Sequence, residues 1–100
     1  MALFRVGPLP ESALEAAAEF HGRVLPEVLP VAEDLVLVFA RAPYDHRGWR
    51  LAAVQGLARA AAPLRVNAVA GDDEAAIAQA AEWLAQAPGI TGQMLVVEAG

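Results

Sequence analysis

The sequence predicts an α/β domain on a four-stranded parallel sheet, with elements in the order β-α-β-α-β-α-β. Three observations predict it. Four short apolar runs recur along the chain, helix-period patterns fill the intervals between them, and one run, LVLVFA at 35–40, is apolar without interruption. A run with no polar alternation suits a strand covered on both faces, which is the setting of parallel sheets.

The elements follow in order. Residues 2–6, ALFRV, form the first strand, closed by Gly7, Pro8 and Pro10. Ser12 and Glu15 have the S-x-x-E spacing of a capping box, which satisfies two free backbone N–H groups at a helix start. The helix that follows, over 12–29, places Leu14, Ala18, His21, Leu25 and Val28 on one face and Glu15, Glu19, Arg23 and Glu27 on another. Pro26 and Pro30 are expected to kink and then end it. The uninterrupted run at 35–40 is the second strand.

A second helix is expected from Asp45, as its cap, to Ala62, with Leu51, Val54, Leu57 or Ala58, and Ala61 toward the core. A second line along it, Trp49, Ala53, Gly56 and Ala60, sets small residues below one large ring. Such a line admits the close approach of another helix, so these four are candidate interface residues; Trp49 serves either a partner contact or packing within the chain. LRVNAVA at 64–70 is the third strand. Asp72 or Asp73 caps the third helix, whose buried stripe is Ile77, Ala80, Ala81 and Leu84. Ala87, Pro88 and Gly89 stop it, and MLVVE at 94–98 is the last strand. No linker or low-complexity segment divides the chain, so 1–100 reads as a single domain.

Composition bounds the function. Of 100 residues, 57% are hydrophobic, a surplus for so short a chain that points to apolar surface reserved for a partner. The formal net charge of −5, with seven basic residues scattered among twelve acids, offers no footprint for nucleic acid. The absence of cysteine excludes a disulfide scaffold and thiolate metal sites. Asp72, Asp73 and Glu74 stand at a helix start, where acids complement the dipole, and read that way rather than as a metal site. No run is long enough to span a bilayer, and a cytoplasmic protein is the expectation.

RVNAVAG at 65–71 together with ITGQMLVVEAG at 90–100 resembles the carboxy-terminal half of the short-chain dehydrogenase/reductase family, where the strand commonly reads VNAVAPG and the end reads ITGQ before a VDGG-like sequence. Tyr44 precedes Pro63 by about one long helix, as the family's catalytic tyrosine precedes the same strand. The resemblance implies a half Rossmann-like fold, equivalent to the family's neighbouring strands 4-5-6-7 without the first three. It also implies that the segment which covers substrate and nicotinamide in the family is lost after Gly71, along with the proline of its Pro-Gly pair.

Carried over residue by residue, the family's chemistry is sparse. Tyr44 matches the catalytic tyrosine, but four residues on, where the family has the lysine that lowers its pKa, stands Gly48; Arg47 is one position early. Ser12, the one serine, is committed as a cap, and His21 falls near the family's asparagine position. The glycine-rich turn that meets a dinucleotide pyrophosphate has no counterpart, so no nicotinamide cofactor is expected. His21 otherwise reads as a core or interface histidine, and Tyr44, Asp45, His46 and Arg47 as a solvated helix start. Two functional classes follow. One is a non-catalytic assembly or regulatory module that self-associates as a dimer or tetramer or pairs with an intact short-chain dehydrogenase. The other is a small-molecule binder or enzyme using the Tyr44–Arg47 junction.

Overall fold

Leu35, Leu37 and Phe39 point to one side of the central strand and Val36 and Val38 to the other, and both sets are buried. That two-sided burial follows from the pleat of a strand whose every residue is apolar. The computed structural model describes residues 1–99; Gly100, the last residue of the closing motif, lies outside them. The four strands are β1 (Ala2–Arg5), β2 (Leu35–Phe39), β3 (Val66–Ala70) and β4 (Met94–Val96). They pair in parallel in the order β1-β2-β3-β4, with Ala2 opposite Leu35, Leu35 opposite Val66, and Ala68 opposite Met94. The expected fold class is therefore the observed one, with each strand one or two residues shorter than its apolar run.

The first crossover is α1 (Ala13–Glu19), a π turn (Phe20–Val24) and α2 (Leu25–Val28), following one another without a break. The second is a 3₁₀ turn (Tyr44–His46) leading into α3 (Arg47–Ala61), and the third is α4 (Glu74–Ala85). The first two pack on the Leu37 face, the third on the Val36 face. Ser12 caps α1 by accepting from the Glu15 N–H at 3.2 Å, which is one half of the expected capping box; among the described residues the reciprocal bond from Ser12 N–H to the Glu15 carboxylate is not formed. Asp73 caps α4, accepting from Ala76 N–H at 2.8 Å. Asp45 does not cap α3: the 3₁₀ turn opens that helix with no side-chain cap.

The buried faces of two helices differ from expectation. In the first crossover the buried line is Ala16, Phe20, Val24 and Val28, while Leu14 and His21 face solvent. At about 3.6 residues per turn a strict four-residue spacing drifts by about 40° per step. The wider π turn takes up that drift, which keeps 16, 20, 24 and 28 on the sheet and Glu15, Glu19, Arg23 and Glu27 away from it. In α3 the buried stripe is Arg50, Ala53, Val54, Leu57 and Ala58: Val54, Leu57 and Ala58 are buried as expected, Arg50 and Ala53 join them, and Leu51 and Ala61 are only half-buried.

The two motifs that carry the family resemblance are hydrogen-bonded to each other. Asn67 donates from its side chain to the Ile90 carbonyl at 3.0 Å and accepts from the Gln93 N–H at 3.0 Å. The Thr91 hydroxyl accepts from Val66 N–H at 3.0 Å, and Gly92 N–H donates to the Val66 carbonyl at 2.7 Å. Gly92 has φ of 74°, a conformation that favours glycine. Between β3 and α4 only Gly71, Asp72 and Asp73 intervene. A Cβ on Gly71 would stand 2.7 Å from the Val97 carbonyl oxygen, so glycine lets the chain after β4 close over that short junction.

Candidate functional site

The carboxyl ends of β1 and β2 open onto a cleft of about 600 Å³. One wall is the segment from Val6 to Glu11 that follows β1, and another is the Phe39–Pro43 segment that follows β2. His46 and Arg50, one turn apart on the second crossover, close it from below. A smaller cleft of about 220 Å³ lies on the other side of the same two residues, against Ala70, Met94 and Glu98.

His46 is 4% exposed, and its ring is held at both nitrogens. Nε2 lies 2.8 Å from the Glu11 carbonyl oxygen, and Nδ1 accepts from the Trp49 indole N–H at 3.2 Å. A carbonyl accepts and an indole N–H donates, so the pair of contacts fits the tautomer with its proton on Nε2. Arg50 is 7% exposed and donates from Nη1 to the Ala40 carbonyl at 2.8 Å. Its guanidinium stands 4.6 Å from the Phe39 ring centroid, and its buried Nε has no hydrogen-bond partner. Burial pushes its pKa below the ordinary arginine value.

The residues singled out from sequence divide between separate places. Tyr44 and Arg47 line the smaller cleft, but Tyr44 is 84% exposed at its rim and Arg47 also faces solvent. His21 is elsewhere: exposed, with Nδ1 2.8 Å from the Ala17 carbonyl oxygen, it lines an apolar groove of about 240 Å³ between the first crossover and α3. His21 is thus neither a core histidine nor a neighbour of Tyr44, because the buried line of its helix passes through Phe20 and Val24 instead. Ala53, Gly56 and Ala60 line that same groove.

Trp49 is drawn out of the expected line. It is half-buried and packs against Phe20 and Phe39 at centroid distances of 5.5 and 5.8 Å. The three acids at the start of α4 also diverge: Asp72 accepts from Arg41 N–H at 3.0 Å, Asp73 is the cap, and Glu74 forms a two-pronged pair with Arg5 at 2.8 and 3.1 Å. Among the described residues no group of three or more ligating side chains is placed to hold a metal. No helix among them is long and apolar enough to cross a membrane.

Arg50 is the site residue that sequence reasoning passed over; His46 is named there only within the Tyr44–Arg47 junction, as part of a solvated helix start, and is buried instead. The signal was available in HRGWR, since Arg50 is the one charged residue on the stripe continued by Ala53, Val54, Leu57 and Ala58. A cation on a buried stripe either finds a partner or serves a site.

A four-stranded parallel sheet with crossovers on both faces and a cleft at its carboxyl edge defines an α/β protein of half Rossmann-like architecture. A family model described as "Short chain dehydrogenase-like protein" matches residues 4–97, and the chain belongs to that SDR-like family. No curated protein and no solved structure matches the chain.

Proposed function

We propose that this chain is a non-catalytic, short chain dehydrogenase-like assembly module that self-associates through the groove face of α3. The observation that carries the proposal is the groove itself. Apart from His21, its lining is apolar, formed by Leu25 and Leu29 on one side and Ala52, Ala53, Gly56, Leu57 and Ala60 on the other. Leu29 stands 44% exposed at one edge, and a Cβ built on Gly56 meets nothing within 4 Å. A two-fold contact needs one patch that complements itself, and a ridge of side chains beside a row of small residues supplies both halves. Tyr44 at an exposed rim, with glycine where the family has lysine, also favours a structural role over proton transfer.

The open space around Gly56 makes it a clean probe. Gly56→Glu sits in a helix interior, where replacing glycine favours folding by up to about 1 kcal/mol. Light scattering at rising concentration should give wild-type protein at twice the monomer mass or a higher multiple, and Gly56→Glu as a folded monomer. A wild-type chain that stays monomeric throughout overturns the proposal. A Gly56→Glu variant that still associates moves the contact off this groove.

A further inference from the structure

We propose that the cleft at the carboxyl ends of β1 and β2 binds a small organic carboxylate, with Arg50 as the group that holds its charge. Four arginines of this chain, Arg5, Arg23, Arg41 and Arg65, have a carboxylate within 4 Å. All four are more exposed than Arg50, which is 7% exposed and has no carboxylate in reach among the described residues. A guanidinium taken out of water without a counter-charge is costly, which is why removing one half of a buried ion pair is normally destabilising. The Phe39 and Trp49 rings, 4.6 and 5.8 Å away, offset part of that penalty through their π faces. They leave the Nε–H without an acceptor. Burial lowers the pKa of the group, as it does for any desolvated cation, yet arginine stays charged at neutral pH.

The shape of the cleft narrows the ligand class. About 600 Å³ is the volume of a small-molecule site, and Val6, Pro8, Leu9, Pro10 and Phe39 give it apolar walls suited to a hydrocarbon body. The planar fork of arginine matches a carboxylate. Glu11 also lines the cleft, and its negative charge disfavours a dianion such as phosphate more than a monocarboxylate. Binding of this kind requires no catalysis and stands independently of self-association, because the groove on α3 shares no lining residue with the cleft.

The experiment is an NMR titration of the arginine side-chain Nε–H signals of the ¹⁵N-labelled protein, run beside thermal melts. Benzoate is the probe, benzamide its neutral counterpart, and inorganic phosphate the competing anion. Benzoate should shift the Arg50 signal saturably and raise the melting temperature, while benzamide does neither. Arg50→Met should weaken benzoate binding by at least about tenfold, the scale of one lost charged hydrogen bond. Equal response to benzoate and benzamide overturns the proposal, as does a folded Arg50→Met that binds like wild type. Tighter binding of phosphate than of benzoate overturns the carboxylate assignment. Should Arg50→Met fail to fold, the benzoate–benzamide contrast at the wild-type Arg50 signal still decides the matter.

Discussion

Arg65 donates to Asp34 twice, from its backbone N–H to Oδ1 at 2.8 Å and from Nε to Oδ2 at 3.2 Å. The same guanidinium reaches the carboxyl end of α4, donating to the Leu84 and Ala87 carbonyls at 2.8 and 2.9 Å. One side chain thus ties the start of β2, the start of β3 and the end of α4, and it supplies the positive charge that a helix carboxyl terminus favours.

The Asp34 carboxyl is held below its ordinary value of 3.8, first by the Arg65 backbone N–H and then by the Arg65 charge, against burial acting the other way. The unfolded chain therefore takes up this proton at a higher pH than the folded one. The stabilisation is complete above the ordinary value and is lost as pH falls through it toward the lower folded pKa. Asp34→Asn should be less stable than wild type at neutral pH, and the gap should close on acidification. Urea melts between about pH 2 and about pH 6 check this, since the window lies where a depressed carboxylate titrates. A gap that is constant with pH contradicts the linkage.

Gly71→Ala should destabilise the fold by about 1–3 kcal/mol, the usual scale of overpacking. The requirement is space rather than backbone conformation, because among the described glycines only Gly92 has a positive φ. The added Cβ would meet the Val97 carbonyl oxygen at 2.7 Å and its Cγ2 at 2.8 Å, while Val97 N–H is fixed to the Ala70 carbonyl at 2.9 Å. Val97→Ala removes the methyl but not the carbonyl, so the double variant should recover only part of the loss. The urea midpoint should fall at unchanged slope. Full recovery in the double variant would locate the clash in the side chain alone.

Element types and their order along the chain were legible because they rest on period and length; the order of the strands in the sheet was legible because the family resemblance implies it. LVLVFA, six residues long between charge and proline, suits a strand covered on both faces, and ITGQ followed by MLVV pairs with RVNAV as the resemblance implies. Helix faces were less legible. The pattern Ala16, Phe20, Val24, Val28 has a four-residue repeat that an ideal helix cannot keep on one side, so Leu14, Ala18 and Leu25, with His21 on the same line, looked equally eligible. Only a π turn resolves the choice, and none of its residue types announces one. Arg50 was hidden by the assumption that charges face water, which fails where a strand end leaves an open cleft and an aromatic ring to cover the guanidinium. Trp49 stayed open between a partner contact and packing within the chain because its acceptor, His46, is itself buried through a contact to Glu11, thirty-five residues earlier in the chain.

Trp49 is consequently an internal residue by its contacts, and Trp49→Phe separates that role from a part in any interface. The substitution keeps an aromatic ring against Phe20 and Phe39 but removes the indole N–H that His46 Nδ1 accepts. A buried acceptor left without its donor typically loses about 1–3 kcal/mol. The loss should be independent of protein concentration, because the broken bond lies within one chain; an interface residue would give a melting temperature that falls further on dilution. Trp49→Phe and His46→Phe should also be non-additive, the double variant being more stable than the sum of the two singles predicts, since each single change strands the other's partner. Thermal melts of the four proteins at two concentrations measure both quantities. Additive losses, or a deficit that grows with dilution, would place Trp49 in a contact between chains instead.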